Sequence, residues 1–516
     1  MMTGTESNDT QVLVVGAGPT GLALALWLTR LGVRVTIIDK NADVLRASRA
    51  LGVHARTLEF YRQLGFADQV VNAGEVVPSV NLWARGKKVT RVPFRNVGEG
   101  LTPFPFVLDF SQDEHERLLI AQLATSGVRV VRSMELTALA QDGDGVRATF
   151  RRADGSDEEC RCSYVAGCDG AHSAVRKAIG VEFGGGMYEH LFYVADVTAR
   201  GPAVDQGIQV DLDEADLLAI FDMKGTGHVR LVGTVRSNAA TERDHELTFA
   251  DVARRPLEQL RLDVERVHWF STYRVHHRVA SRFRVGRAFL LGDAAHVHSP
   301  VGAQGMNTGI GDAVNLAWKL AMVVNGQASS ALLNTYETER IAFARRLVAT
   351  TDRAFEVATK SGRVAAFVRT RVFPLLVSIA FRPRAVRRYL FRTVSQIEIA
   401  YHDSPLSEGK AGTVGGGDRL PWVPPEQGSE DDNYKVLTSL RWQVHVYGDV
   451  PREVREACET LGVELHGFAW RGTMADAGLA RGALYFIRPD GYVALADGEC
   501  RADRLRTYIE SRSLRA

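Results

Sequence analysis

Gly16, Gly18 and Gly21 are spaced G-x-G-x-x-G, with Pro19 and Thr20 between the second and third. Glycines so placed permit a tight turn, a close backbone approach to a pyrophosphate, and close packing of a helix on a strand. Asp39 closes the next apolar run, where a carboxylate accepts hydrogen bonds from a ribose 2′-hydroxyl. The chemistry implied is the holding of a dinucleotide. A free 2′-hydroxyl suits NAD or FAD better than NADP, and this stretch alone does not separate those two.

Two further stretches decide between them. Asp169-Gly170 and Gly292-Asp293 each follow a short apolar run, the position where ligands sit in open α/β sheets. Gly302 to Gly309 then offers backbone N–H groups at a helix start, a nest for an anion such as a reduced flavin ring. An NAD dehydrogenase needs neither loop, whereas a flavin with its ribityl chain and tricycle uses both. His54, His172, His296 and His298 lie near these loops and are read as hydrogen-bonded structural groups rather than bases. Cys160, Cys162 and Cys168 cluster without the partners of a zinc site and are read as buried thiols.

The elements that must position these residues follow from periodicity. Val12–Val15 is a short β-branched run suited to a strand buried on both faces. Thr20–Leu31 is a helix ended by Gly32, and Val33–Ile38 a second strand. Arg49 and Arg56 lie in a loop running into an amphipathic helix capped near Gly65. Ser111 and Glu114 form a capping box ahead of another helix. From 188 to 273 the alternation of apolar and polar residues reads as an antiparallel sheet of hairpins, a common wall of a substrate cavity. Helices dominate from Leu332 to Ser395, and the Gly/Pro-dense stretch 405–428 reads as a linker. A compact α/β block follows: strands near 442–447 and 463–468, helices 452–461 and 501–511, and a hairpin turning at Pro489-Asp490-Gly491.

A chain of 516 residues supports two or three domains with large cores. A net charge of +2 with dispersed Lys and Arg gives no nucleic-acid stripe. The amino end has no apolar signal region, and five cysteines make no disulfide framework, so a cytoplasmic location is expected. Residues 364–381 are apolar but broken by Arg369, Arg371 and Pro374. They are read as a packed helix kinked near the proline, not a membrane span.

GAGPTG, CDGAHSAVR and GRAFLLGDAAHVHSPVGAQGMNTGIGDAVNLAWKLA together resemble the group A flavoprotein aromatic hydroxylases, over roughly residues 11 to 350. The resemblance implies an α/β fold. A Rossmann-type FAD-binding domain with a helical extension would take 1–187 and 281–408. An inserted antiparallel-sheet substrate domain would take 188–280, and a thioredoxin-like domain lacking C-x-x-C would take 409–516. It implies that Gly16, Gly18, Pro19, Thr20 and Gly21 hold the pyrophosphate. Asp39, with Lys40 beside it, would bind the adenosine ribose, although many relatives carry Glu there. Arg49 and Gln112 would lie along the FAD chain and Leu136 by the adenine. Gly292-Asp293 would hold the ribityl group, and Gly305, Met306 and Asn307 would face the flavin ring. Asp169 and Arg176 would serve FAD and NAD(P)H, and Pro300 would lie beside the substrate.

The implied activity is hydroxylation of a phenolic or polycyclic aromatic compound by O2 through a C4a-hydroperoxyflavin, with NADPH or NADH as transient reductant. Epoxidation or Baeyer–Villiger insertion by the same flavin is the alternative, and a non-catalytic flavin-binding protein the remote one. No residue identifies itself as the phenol's base, and no metal is expected. The W-x-W-x-I-P motif of flavin halogenases is missing from the sequence. A cap or homodimer contact is the default role of the C-terminal block.

Overall fold

The computed structural model describes the chain apart from residues 1–9, 46–49, 213–216, 224–226, 236–246, 300, 360–361, 427, 430 and 516. Val12–Val15 is buried at every position because it has a parallel neighbour on each edge, Val35–Asp39 and Tyr164–Gly167. Ala288–Leu290 extends this six-stranded sheet in parallel on one side and Val130–Arg132 on the other; Arg284–Val285 closes one edge antiparallel. Pro19–Arg30, apolar nearly all round, packs between the sheet and the helix Gly305–Val324. The three glycine-bearing loops therefore leave the same ends of three adjacent parallel strands.

A second sheet has eight strands and is built on two 18-residue strands, Phe183–Arg200 and Asp263–Ala280, paired antiparallel with several bulges. His228–Val235, Leu218–Met223 and Ile208–Asp211 continue it. Ser79–Ala84 and Lys87–Pro93 then complete it, with Ser79–Ala84 parallel to Ile208–Asp211. Those two strands fall in the stretch 1–187 expected to belong wholly to the FAD-binding unit. Their hydrogen bonds place them in the inserted sheet, where Trp83 is buried with Tyr193 and Leu231. The same core takes up Phe249–Leu260, a helix the hairpin reading missed, whose start is marked by Asp251 accepting the Thr248 N–H at 2.9 Å.

In the C-terminal unit Gln443–Tyr447 pairs parallel with Glu464–Phe468 and antiparallel with Leu484–Ile487, which pairs with Val493–Asp497. Glu408–Ala411 adds to that sheet in parallel, so the stretch read as a linker contributes a strand and the expected boundary at 408/409 cuts through it. The unit shares a core with the nucleotide-binding unit: Trp318 meets Trp442 edge-on at 5.4 Å. Beside them runs a buried ionic seam. Lys319 Nζ and Arg488 Nη1 each donate to Glu339 at 2.8 Å, and Asp490 accepts from Trp318 Nε1 at 3.0 Å and from Arg488 Nη2 at 2.5 Å. Burial would raise the Glu339 carboxyl, but Arg488 and Lys319 hold it well below its usual range.

The segment 364–381 departs from expectation in two ways. Its break is a π-helical turn, Val368–Val372, and Pro374 sits in the first turn of Phe373–Ala380, where a missing N–H costs no helical bond. It is also only partly packed: Pro374 is buried and its carbonyl accepts from Thr90 Oγ1 at 3.2 Å, whereas Phe367, Leu375 and Leu376 are 58, 60 and 56% exposed. Among the described residues no helix is long and apolar enough to cross a membrane.

Candidate cofactor site

The glycines are required because the loops touch one another. A Cβ on Gly16, whose φ is +103°, would stand 2.4 Å from the Cys168 carbonyl oxygen and 2.9 Å from Asp169 Cα. A Cβ on Gly21 would lie 2.0 Å from the Gly16 carbonyl oxygen. Thr20 fills the space between the first loop and the third, so a Cβ on Gly292 or Gly309 would meet its Oγ1 at 2.7 or 2.2 Å. Gly18 differs: nothing lies within 4 Å of the Cβ it lacks. It precedes the helix Pro19–Arg30 and places no side-chain cap on it. The positive end of that helix therefore borders an open cradle, which fits a pyrophosphate.

The acids divide by what they hold. Asp39 accepts the Ala17 N–H at 2.7 Å and the Asn41 N–H at 2.8 Å, pinning the glycine turn; its carboxylate oxygens keep lone pairs for a ribose. Lys40 is exposed next to it. Asp169 accepts from Ser173 Oγ at 2.5 Å, the Ala174 N–H at 2.6 Å and the Val175 N–H at 3.1 Å. It thereby caps the short helix Ala174–Ala178. Arg176 ties the second loop to the third by donating to the carbonyls of Ala171 at 2.8 Å and Ala294 at 2.9 Å. Asp293, in the 3-10 turn Gly292–Ala294, is exposed.

At the third loop Gly305 and Met306 begin the helix Gly305–Val324 and are partly exposed. Asn307 belongs to the same turn, but its amide is spent inside the protein. It accepts the His54 N–H at 2.9 Å and the Thr57 hydroxyl at 2.8 Å, and donates to the carbonyls of Gly52 at 2.9 Å and Ala303 at 3.0 Å. Only its backbone is left for a ligand. Gln112 opens the helix Gln112–Thr125 and donates to Glu116 at 2.8 Å. Leu136 is buried in the main core. Arg49 and Pro300 lie outside the described residues.

The histidines follow the structural reading where the contacts are visible. His54 Nε2 bonds the Gly302 carbonyl at 3.0 Å, and burial lowers its pKa to about 4. Burial likewise lowers His298 to about 4, with His296 adding to the effect. His54 Nδ1, His298 Nε2 and Ser299 Oγ are buried with no protein partner. Buried polar atoms are normally paired, so three orphans around the Gly302–Gly305 turn are what a polar ring bound there would satisfy. FAD thus fits the groups present.

Sequence reading missed Asp312. This buried carboxylate accepts the Gly292 N–H at 3.0 Å, meets His296 Nε2 at 2.7 Å and accepts Arg340 Nε at 2.6 Å. Arg340 also donates to the Thr308 carbonyl at 3.0 Å, so the pair clamps both ends of the third loop. Burial alone would raise Asp312, but Arg340 and His296 hold it below the usual range. A signal was present: Asp312 and Lys319 are the two charged residues of the mostly apolar helix Gly305–Val324.

The comparisons agree with this geometry. The model of the FAD binding domain family matches residues 9–351. The chain is 33% identical to the 6-methylpretetramide 4-monooxygenase of Streptomyces rimosus, over 95% of this chain and 91% of that one. It is 33% identical to the pentachlorophenol 4-monooxygenase of Sphingobium chlorophenolicum, over 69% of this chain and 66% of that one. Among solved structures it superposes on the anhydrotetracycline hydroxylase of Streptomyces rimosus with a TM-score of 0.79 and 27% identity, covering 98% of this chain and 99% of the other. Open Gly18, the Thr20 wedge and the matched family model converge: the chain belongs to the FAD binding domain family and, within it, to the group A flavoprotein aromatic hydroxylases.

Proposed function

We propose that the chain hydroxylates a phenolic or polycyclic aromatic compound, with FAD as resident cofactor, O2 as oxidant and NAD(P)H as reductant. The observation that carries this is the mutual contact of the three loops through Gly16, Thr20, Gly292 and Gly309, which leaves one open cradle at Gly18. FAD bound there supplies an electrophilic oxygen once reduced by a nicotinamide and exposed to O2.

The chain's own residues position and exclude. The amides at the start of Pro19–Arg30 would hold the pyrophosphate and Asp39 the ribose. As the family resemblance implies, Arg49 and Gln112 would bind along the FAD chain, Leu136 would pack by the adenine, and Asp293 would hold the ribityl group. The backbone of Gly305, Met306 and Asn307 would face the ring, where the positive end of Gly305–Val324 would favour its anionic reduced form. Asp169 acts through the helix it caps. The eight-stranded sheet walls off water, which would otherwise divert the oxygen to hydrogen peroxide. Pro300, outside the described residues, would by the family resemblance lie beside the substrate. The C-terminal unit, thioredoxin-like in element order, serves as a cap, with homodimer contact as its other role. Its lack of a C-x-x-C pair and thiols that burial raises in pKa suit a structural part in a reducing cytoplasm.

Ring hydroxylation leads over epoxidation or Baeyer–Villiger insertion because the relatives include a pentachlorophenol monooxygenase. Purified protein is expected to show a bound-flavin spectrum and to oxidise NADPH or NADH faster with phenols or polyketide-like aromatics. A colourless protein that takes up no FAD would overturn the proposal.

A further inference from the structure

Where the eight-stranded sheet meets the nucleotide-binding unit there is a cavity of about 160 Å³. Leu51 and Phe110 wall it from one side and Met223 from the other. An apolar cavity of about 150 Å³ takes one benzene ring, so this one is the size of a single aromatic ring. Two polar groups on its wall bear on what it takes. Arg230, 1% exposed, forks onto Asp196 through Nε at 2.6 Å and Nη2 at 2.8 Å, and its buried Nη1 has no partner. A buried guanidinium N–H left unbonded costs about 1–3 kcal/mol, which an acceptor brought against Nη1 would recover. Asp109 lines the same wall at the end of the strand Leu108–Asp109. Burial pushes its carboxyl up to about 7; Arg230 opposes the rise and Glu75 and Asp222 add to it.

We infer that this cavity takes the reacting ring of a neutral phenol, with Arg230 Nη1 donating to the phenol oxygen and the Asp109 carboxylate accepting the hydroxyl proton. The inference rests on the monooxygenase reading above and supplies the base that the sequence did not reveal. The step is a proton transfer alone: the phenol O–H bond breaks, an O–H bond forms on Asp109, and the electron pair stays on the phenolate oxygen beside Arg230. The proton returns to solvent when product leaves.

The cavity also sets a charge preference. Asp109, Asp113, Glu114, Asp196 and Asp222 line it against the single guanidinium of Arg230. A second negative charge on the ring would meet this carboxylate surplus and be repelled. Neutral phenols are therefore taken and hydroxybenzoates refused.

The test uses the FAD-loaded full chain. Binding of phenol, 4-hydroxybenzoate and methoxybenzene is read from the flavin spectrum, and hydroxylated product per NAD(P)H is read from pH 5 to 9. Phenol is expected to bind at least about tenfold more tightly than 4-hydroxybenzoate. Its coupled product yield should rise through about pH 7, as Asp109 loses its proton. Asp109→Asn should cut that yield about a hundredfold and flatten the pH profile, Asp109→Glu should restore part of it, and Arg230→Lys should weaken phenol about tenfold. FAD content and thermal midpoint check that each variant is folded, and the ligand comparison on the unsubstituted protein needs no variant. An unchanged pH profile in folded Asp109→Asn would overturn the inference, as would 4-hydroxybenzoate binding as tightly as phenol. Oxygen insertion into other aromatics alongside such a result would leave the monooxygenase reading standing. No oxygen insertion into any aromatic would remove that reading and the inference with it.

Discussion

The cofactor loops and the ionic seam lie on opposite ends of the helix Gly305–Val324, and they are held by different physics. At the loops the contacts are backbone to backbone: Gly16 lies against Cys168 and Asp169, and Gly21 against the Gly16 carbonyl. No side chain beyond hydrogen fits, so the position itself enforces the residue. At the seam, Lys319, Glu339, Arg488 and Asp490 are all buried side chains whose charges compensate one another. Any one of them is tolerable only because the others are present. The loops shape a ligand site, whereas the seam fixes the C-terminal unit to the helix that carries the site. Asp312 and Arg340 sit between the two and belong partly to each.

That division can be broken by substitution, most severely at the loops. Gly21→Ala puts a methyl 2.0 Å from a carbonyl oxygen, and FAD affinity is expected to fall more than about a hundredfold, read as flavin content after dialysis. At the seam, Glu339→Gln leaves Lys319 and Arg488 short of a counter-charge. It should cost about 3–5 kcal/mol of stability by denaturant titration, with FAD affinity of the folded protein changed much less. Asp312→Asn sharpens the comparison because it should move both readouts, weakening FAD about tenfold and lowering stability by about 1–3 kcal/mol. Asp39→Asn should weaken FAD by at most about tenfold and leave stability within about 1 kcal/mol, since its contacts are local to the turn.

A separate effect lies in pH dependence. His54 and His298 are held near pKa 4, and His115 and His445 near 3, by burial. Their folded values lie below the ordinary value of about 6.5, so the unfolded chain binds protons the folded one refuses. Stability is present above about pH 6.5 and is lost as pH falls toward 4, by up to about 1.4 kcal/mol per pH unit for each histidine. His445→Gln, in the C-terminal unit, should reduce that slope by one histidine's share and leave the flavin spectrum unaltered.

The difference between the two regions also explains what was legible in the sequence. G-x-G-x-x-G, the two aspartate–glycine pairs and the nest at Gly302–Gly309 are short-range patterns forced by backbone geometry, so the nucleotide-binding unit and its loops were readable. The seam joins residues such as Glu339 and Arg488, about 150 positions apart, and no local pattern announces which charges will be buried together. Strands Ser79–Ala84 and Lys87–Pro93 were misassigned for the same reason, since sheet membership was settled by pairing with Ile208–Asp211 far along the chain. Asn307 was expected, from the family resemblance, to face the flavin ring. Its amide instead braces His54, Thr57, Gly52 and Ala303. Asp109 and Arg230 carry no motif, and only the fold brings them to one cavity.

The most direct test of the central claim, that this is a flavin-dependent aromatic monooxygenase, is the fate of molecular oxygen. The FAD-loaded protein, with NADPH or NADH and a panel of phenols and polyketide-like aromatics, would be run under ¹⁸O-labelled O2 and the products weighed by mass spectrometry. The expected result is one labelled oxygen in an aromatic product, with nicotinamide oxidation accelerated by the same compound. Nicotinamide oxidation indifferent to every aromatic, with all the label recovered as hydrogen peroxide or water, would contradict it.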